Sequence, residues 1–236
     1  SGWDVSSVTN MHQMFEFPDA LSEENKCAIH LSFSSNDAWI YDWFDLCGFT
    51  AITQDNIQTA VDLWGSDNAT ALATYGPIRF WDVSQVTNMS DLFKNKTAFN
   101  DYIGDWDVSN VTNMVEMFYD AGSFNQDLSN WDVSSVTNMF SMFNGANSFN
   151  GDLSNWDVSS VTNMGDMFRN AVSFNGDVST WDVSNVTNMA SMFRDASSFN
   201  QDLSNWDVLS VTTMGNMFYN ADVFNQDLND WDVSNV

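Results

Sequence analysis

The hydrophobic positions of residues 81–236 recur with a period of 25 residues, and tryptophan marks each period at Trp81, Trp106, Trp131, Trp156, Trp181, Trp206 and Trp231. With that tryptophan as position 1, a Thr-Asn-Met triplet follows at positions 7 to 9 of five copies, as in Thr112-Asn113-Met114, and Thr212-Thr213-Met214 stands in the sixth. Phenylalanine recurs at position 13 from Phe93 to Phe218, and Phe-Asn recurs at positions 19 and 20 from Phe99-Asn100 to Phe224-Asn225. An internal repeat of this strictness decides the architecture before any local propensity does. Within one copy, Leu128, Trp131 and Val133 are apolar, and Asp132 separates the last two. That alternation predicts a short strand with Asp132 facing out. Val136, Met139, Met142, Phe143 and Ala146 then fall at offsets that lie on one face of a helix. Thr137 is the candidate N-cap, with Ser134 competing, and Gly145 reads as an accident of packing in one copy. Phe149-Asn150 returns the chain to the next strand. The expected fold is therefore α/β: a leucine-rich-repeat-like solenoid with one short parallel strand and one short helix per 25-residue coil. Such coils bury their faces on one another, so stability resides in their interfaces. All 13 methionines lie in the repeats, where a flexible thioether fills gaps.

The period fails between Phe15 and Trp81. Trp3, Val5, Val8, Met11, Met14 and Phe15 form a partial unit, which makes residues 1–15 the end of a preceding array. Residues 16–50 carry both cysteines and read as a C-terminal cap. Residues 51–80 read as the helical N-terminal cap of the next array, with an amphipathic helix through Ala60-Val61 and Leu63-Trp64 and a second from Asp67 to about Tyr75. Residues 81–236 are the array, six full coils and the start of a seventh. Both ends interrupt a motif, which leads one to expect a cut through a longer polypeptide with a super-repeat of 228 residues.

Composition changes this picture in three ways. Apolar residues make up 44% and aromatics 15%, ample for a core. Six basic residues stand against 32 acidic ones, a net charge of −26 that argues against nucleic acid or an anionic membrane as partner. No run of 18 apolar residues occurs, so no membrane insertion is expected within this segment. Cys27 and Cys47 are the only cysteines. A disulfide between them is the simplest reading, worth perhaps ~3 kcal/mol and implying an oxidising compartment; two buried thiols are the other.

Stacked coils turn repeated residues into rows. Asp132, Asp157, Asp182 and Asp207 stand at position 2, and Asp127, Asp152, Asp177 and Asp202 at position 22. Like charges about 5 Å apart repel by roughly 0.8 kcal/mol in water, which something must offset. Either each aspartate caps a local turn, or Ca²⁺ bridges the carboxylates of adjacent coils. The position-20 asparagines, Asn100 to Asn225, are expected to be buried at a turn and to satisfy backbone groups. Of five Asn-x-Ser/Thr sequons, Asn68 and Asn95 are the candidates for N-glycosylation, because Asn88, Asn110 and Asn185 are tied to the repeat pattern. His12 and His30 are the only histidines, and carboxylates that recur in every coil look like scaffolding, so no catalysis is expected.

With Trp-Asp-Val-Ser-x-Val-Thr-x-Met and Phe-Asn-x-Asp-Leu-Ser quoted from the copies, the unit resembles the repeat of BspA-like surface proteins, a family related to leucine-rich repeats. Leu128-x-x-Trp131-x-Val133 stands where that family has its strand motif. The resemblance implies a right-handed solenoid, display at a cell surface, and adhesion or protein binding. Two functions are expected from this stage. One is an extracellular structural or adhesive protein forming a rod or filament, with partners that are copies of itself, flanking arrays, or other surface or matrix proteins. The other is a binding module that takes a basic protein or a glycan on its acidic face.

Overall fold

The structure is a computed structural model that describes residues 5–15, 21–33, 36, 39–40 and 44–236. The chain divides into two compact units, Ser1–Thr50 and Ala51–Val236. Trp3 of the partial repeat and Trp43 of the cysteine-containing segment lie outside the described residues.

In the first unit, α1 (Glu23–Phe33) and a 3-10 turn at Phe44–Cys47 are joined by the disulfide Cys27–Cys47, with Cα atoms 4.9 Å apart. Trp39 packs edge-on against Phe33 at 5.4 Å and Phe15 at 6.2 Å, and its indole N–H donates to His30 Nδ1 at 3.2 Å. The partial repeat makes turns, Val8 N–H to the Val5 carbonyl and Met14 N–H to the Met11 carbonyl. Met11 is buried there, but Val8 and Met14 are exposed.

The second unit begins with α2 (Ile57–Ser66) and α3 (Asn68–Tyr75). Asp67 caps α3 by accepting the Thr70 N–H, and Gly76 takes a positive φ of 72° just past its end, both ordinary helix-boundary chemistry. Ile57, Ala60 and Val61 of α2 join the same core as the first coil. Side chains of this segment stand in for a preceding coil. Gln54 Oε1 accepts the N–H groups of Thr87 and Asn88, and its Nε2 donates to the Asn88 carbonyl. Gln58 donates to the Leu92 carbonyl, Lys96 pairs with Asp62, and the Trp64 indole donates to Asp101.

From Trp81 on, the structure corrects the expected strand-plus-helix coil. Among the described residues there is no extended strand and no sheet; the parallel pairing is confined to isolated bridges such as Asn113–Asn138 and Asn138–Asn163. No α-helix follows Tyr75 either. The chain is not an α/β solenoid, and each coil is instead a closed succession of turns.

The apolar pattern explains how. Hydrophobic residues three apart close one turn after another: Val111 N–H to Val108, Met117 to Met114, Ala121 to Phe118, Phe124 to Ala121, and Trp131 to Leu128. Both ends of each turn point inward and its middle faces out. A run of such turns places apolar residues at offsets that overlap those of a helix. What forbids the helix is backbone conformation at positions 11 and 15. Glu116 and Asp120 have φ of 54° and 53°, and the equivalent residues of the other coils are also positive. Position 15 reads Asn95, Asp120, Gly145, Asn170, Asp195 and Asn220, the residue types that tolerate a left-handed backbone. Gly145, with φ 73°, therefore answers a demand of its position and is no accident. The strand fails for a related reason: Asp132 Oδ1 accepts the Ser134 N–H and folds the segment into a turn.

Coils are held together in register. The N–H groups of Met114, Glu116, Phe118 and Asp120 donate to the carbonyls of Asn138, Phe140, Met142 and Asn144 in the next coil. Thr137 is not a helix cap; its N–H and its hydroxyl both donate to the Thr112 carbonyl of the coil before. Inside, like residues stack on like: Phe118, Phe143 and Phe168 at 5.3 and 5.6 Å, and Trp131 on Trp156 at 6.5 Å. Trp131 and Trp156 are 3% exposed, and each indole N–H is satisfied by a carbonyl 28 residues back, Ile103 for Trp131 and Leu128 for Trp156.

Phe143 is fully buried between Phe118, Phe149 and Phe168. Phe143→Ala is expected to destabilise the second unit by about 3–5 kcal/mol in urea unfolding, as a buried Phe truncation does. At position 15, Asn170→Val should cost about 1–2 kcal/mol, because a β-branched residue resists the left-handed region. Asn170→Gly should keep or raise the melting temperature.

Candidate functional site

The exposed features of the array are rows, and most of their polar atoms hold backbone. At position 2, Asp132, Asp157 and Asp182 accept the N–H of Ser134, Ser159 and Ser184, and Asp207 accepts that of Leu209. At position 22, Asp127, Asp152, Asp177 and Asp202 accept the N–H of Ser129, Ser154, Ser179 and Ser204. All eight carboxylates are solvent-exposed. Each is thus fixed by its own turn, which offsets part of the repulsion along the row. Among the described residues, no group of three or more Asp, Glu, His or Cys side chains is placed to hold a metal ion.

The turn bonds also tune these acids. The Ser109, Ser134 and Ser184 hydroxyls, and then their N–H groups, hold the carboxyls of Asp107, Asp132 and Asp182 below the usual aspartate range. For Asp152 and Asp202 the serine N–H contributes most and the hydroxyl next. Burial, and after it the carboxylate of Asp107 on the coil before, push the other way on Asp132.

Two further rows were only partly foreseeable. Asn125, Asn150 and Asn175 accept through Oδ1 the backbone N–H of Asn150, Asn175 and Asn200. They form the ladder expected of them, but on the surface and not buried. Position 14 lies outside the repeated pattern. It reads Lys94, Tyr119, Asn144, Arg169, Arg194 and Tyr219. Lys94 stands 5.4 Å over the Tyr119 ring and Arg194 4.9 Å over that of Tyr219. The signal that could have found it is variation: it departs from the repeat in nearly every copy, and three of the six basic residues of the chain stand there.

The remaining candidates are placed as follows. Asn68 is exposed at the first residue of α3, and Asn95 is exposed at a left-handed corner with φ 60°. The amides of Asn110 and Asn185 are engaged with the carbonyls of Ser84 and Ser159. In the first unit, Phe15, Leu21, Ala28, Ile29 and Phe33 line an apolar cavity of about 270 Å³. None of the described helices is long and apolar enough to cross a membrane.

Two measurements follow from this geometry. Hydrogen bonds to its ionised form lower the pKa of Asp132, so the stabilisation it brings is present above the unfolded aspartate value of about 3.9 and is lost as pH falls through the lower folded value. A side-chain NMR titration should find Asp132 and Asp182 more than half ionised at pH about 3.9; an ordinary titration would remove the turn as the cause. For Cys27 and Cys47, alkylation followed by intact-mass measurement should add no label without reductant and two after reduction.

Residues 1–26, 65–172 and 151–236 match the model of the family described as "Mycoplasma protein of unknown function, DUF285". No curated protein matches the chain.

Proposed function

We propose that this chain, which belongs to the DUF285 family, is a structural or adhesive repeat protein of the cell surface whose stacked coils act as a rigid display rod. The observation that carries the reading is the in-register stacking. Every coil repeats the same backbone bonds to its neighbours, so each exposed position of the repeat recurs at one-coil intervals along the unit. A stack of this kind gains length and rigidity with each coil it adds, and that suits reach and repeated weak contact. The finer kinship with BspA-like surface proteins, carried by the Trp-Asp-Val-Ser-x-Val-Thr-x-Met unit, belongs to the same proposal. So does an extracellular setting, which the disulfide Cys27–Cys47 supports because such bonds persist in oxidising compartments.

A second reading draws on the two exposed aspartate rows, which would favour a basic protein partner by charge. It treats the array as a binding module, with the rest of the chain unchanged.

Antibody raised against residues 81–236 tests the surface reading on cells that carry the natural gene. Labelling of intact cells, lost after brief external protease treatment, is the expected result. Labelling that requires permeabilisation would sink it.

A further inference from the structure

In a repeat protein the constant positions build the stack, and the variable ones are free to do something else. The variation at position 14 runs towards residues that are enriched at protein interfaces, arginine and tyrosine. Arg169 and Arg194 stand on adjacent coils, with Phe140 and Tyr119 on the coils before and Tyr219 on the coil after. Phe140 and Tyr119 are partly exposed, and Tyr219 is 52% exposed.

Each guanidinium is only partly used. Arg169 Nη1 donates to Asp166 at 3.3 Å, and its buried Nε–H has no acceptor. Arg194 Nε donates to Asp195 at 3.2 Å. A guanidinium carries five N–H donors in a planar fork, so both retain donors for a second carboxylate. The acidic rows lie elsewhere on the coil, set apart from position 14 by the inward-facing turn that Ala121–Phe124 represents.

We propose that the Arg169–Arg194 edge of one molecule docks side by side on an aspartate row of a second copy. Charge complementarity selects the occupant, and spacing sharpens the choice. Both columns advance once per coil at similar intervals: the rings beside position 14 stack at 5.7 Å from Phe168 to Phe193, and those beside position 2 at 6.4 Å from Trp156 to Trp181. When one arginine meets an aspartate of the other copy, the next arginine meets the next aspartate. A second copy carries this period by construction. Phe140, Tyr119 and Tyr219 flank the ion pairs and lose water on contact, which strengthens them.

The net charge of −26 opposes the approach. That repulsion is long-ranged, whereas the pairs form at contact. The screening length falls to about 8 Å at 0.15 M ionic strength from roughly 30 Å at 0.01 M, which removes the first more than the second. Association therefore strengthens with salt over that range, opposite to simple charge attraction. Slippage by one coil leaves the pairing intact, so no single aspartate is essential, but the two arginines are.

Sedimentation velocity on the purified chain tests this. The expected result is monomer at about 0.01 M salt and reversible association at about 0.15 M. Arg169→Glu with Arg194→Glu should weaken association by about tenfold or more, and Arg169→Gln with Arg194→Gln, which adds no new charge beside Asp166 and Asp195, should also weaken it. Monomer at every salt concentration, or association that the Gln pair leaves unchanged, would overturn the proposal. The Arg169→Lys, Arg194→Lys variant, treated with a carbodiimide as a mixture of isotope-labelled and unlabelled protein, identifies the acceptor. Intermolecular amide links from positions 169 and 194 should end at aspartates of positions 2 or 22. Links that end elsewhere refute the docking.

Discussion

The structure depends on one interaction, the hydrogen bonding of each coil's backbone to the next through alternate N–H groups. Glu116, Phe118 and Asp120 send their N–H groups forward to Phe140, Met142 and Asn144, while Met117, Tyr119 and Ala121 close turns within their own coil. This division leaves no spare donor along the segment, and a buried donor without a partner is costly. It also fixes the register at one repeat. Once register is fixed, Phe118 must lie on Phe143 and Trp131 on Trp156, so the aromatic columns are a consequence of the backbone pattern as much as a cause of it.

The same constraint governs the charge. Carrying one or two aspartates per coil at fixed spacing would be a liability if they served only as charges. Each is bound into a turn beside it, and Asp132 is held ionised by the bonds that make it structural. The acidic surface is therefore a by-product of corner chemistry repeated along the stack. The positions where copies differ, such as Arg169 and Arg194, carry no such structural duty in the repeat.

Much of this was legible in the residues. The period, the inward direction of Trp131, Phe143 and Met139, and the short helices around Ala60 and Ala71 follow from spacing and from capping chemistry at Asp67. The local geometry of the coil did not follow, for a physical reason. Offsets of three and four suit a helix face and a chain of turns alike, and only the left-handed residues separate them. Asp, Asn and Gly at position 15 carried that information, but in a single coil a glycine at 145 looks incidental. The strand was misread at Asp132, where alternation of apolar and polar residues hid an aspartate engaged with the backbone two residues on. The Arg169–Arg194 edge was missed because a search for repeats discards what does not repeat.

Protection of the backbone in the array runs between coils rather than within helices or strands. Amide hydrogen exchange followed by NMR tests it most directly, since bonded core amides exchange near the global unfolding limit while exposed ones exchange freely. Slow exchange is expected at Glu116, Phe118, Asp120, Ser141 and Phe143, whose N–H groups reach the next coil, and fast exchange at the exposed corners Ser135 and Ser160. Equal, rapid exchange at both sets would contradict it.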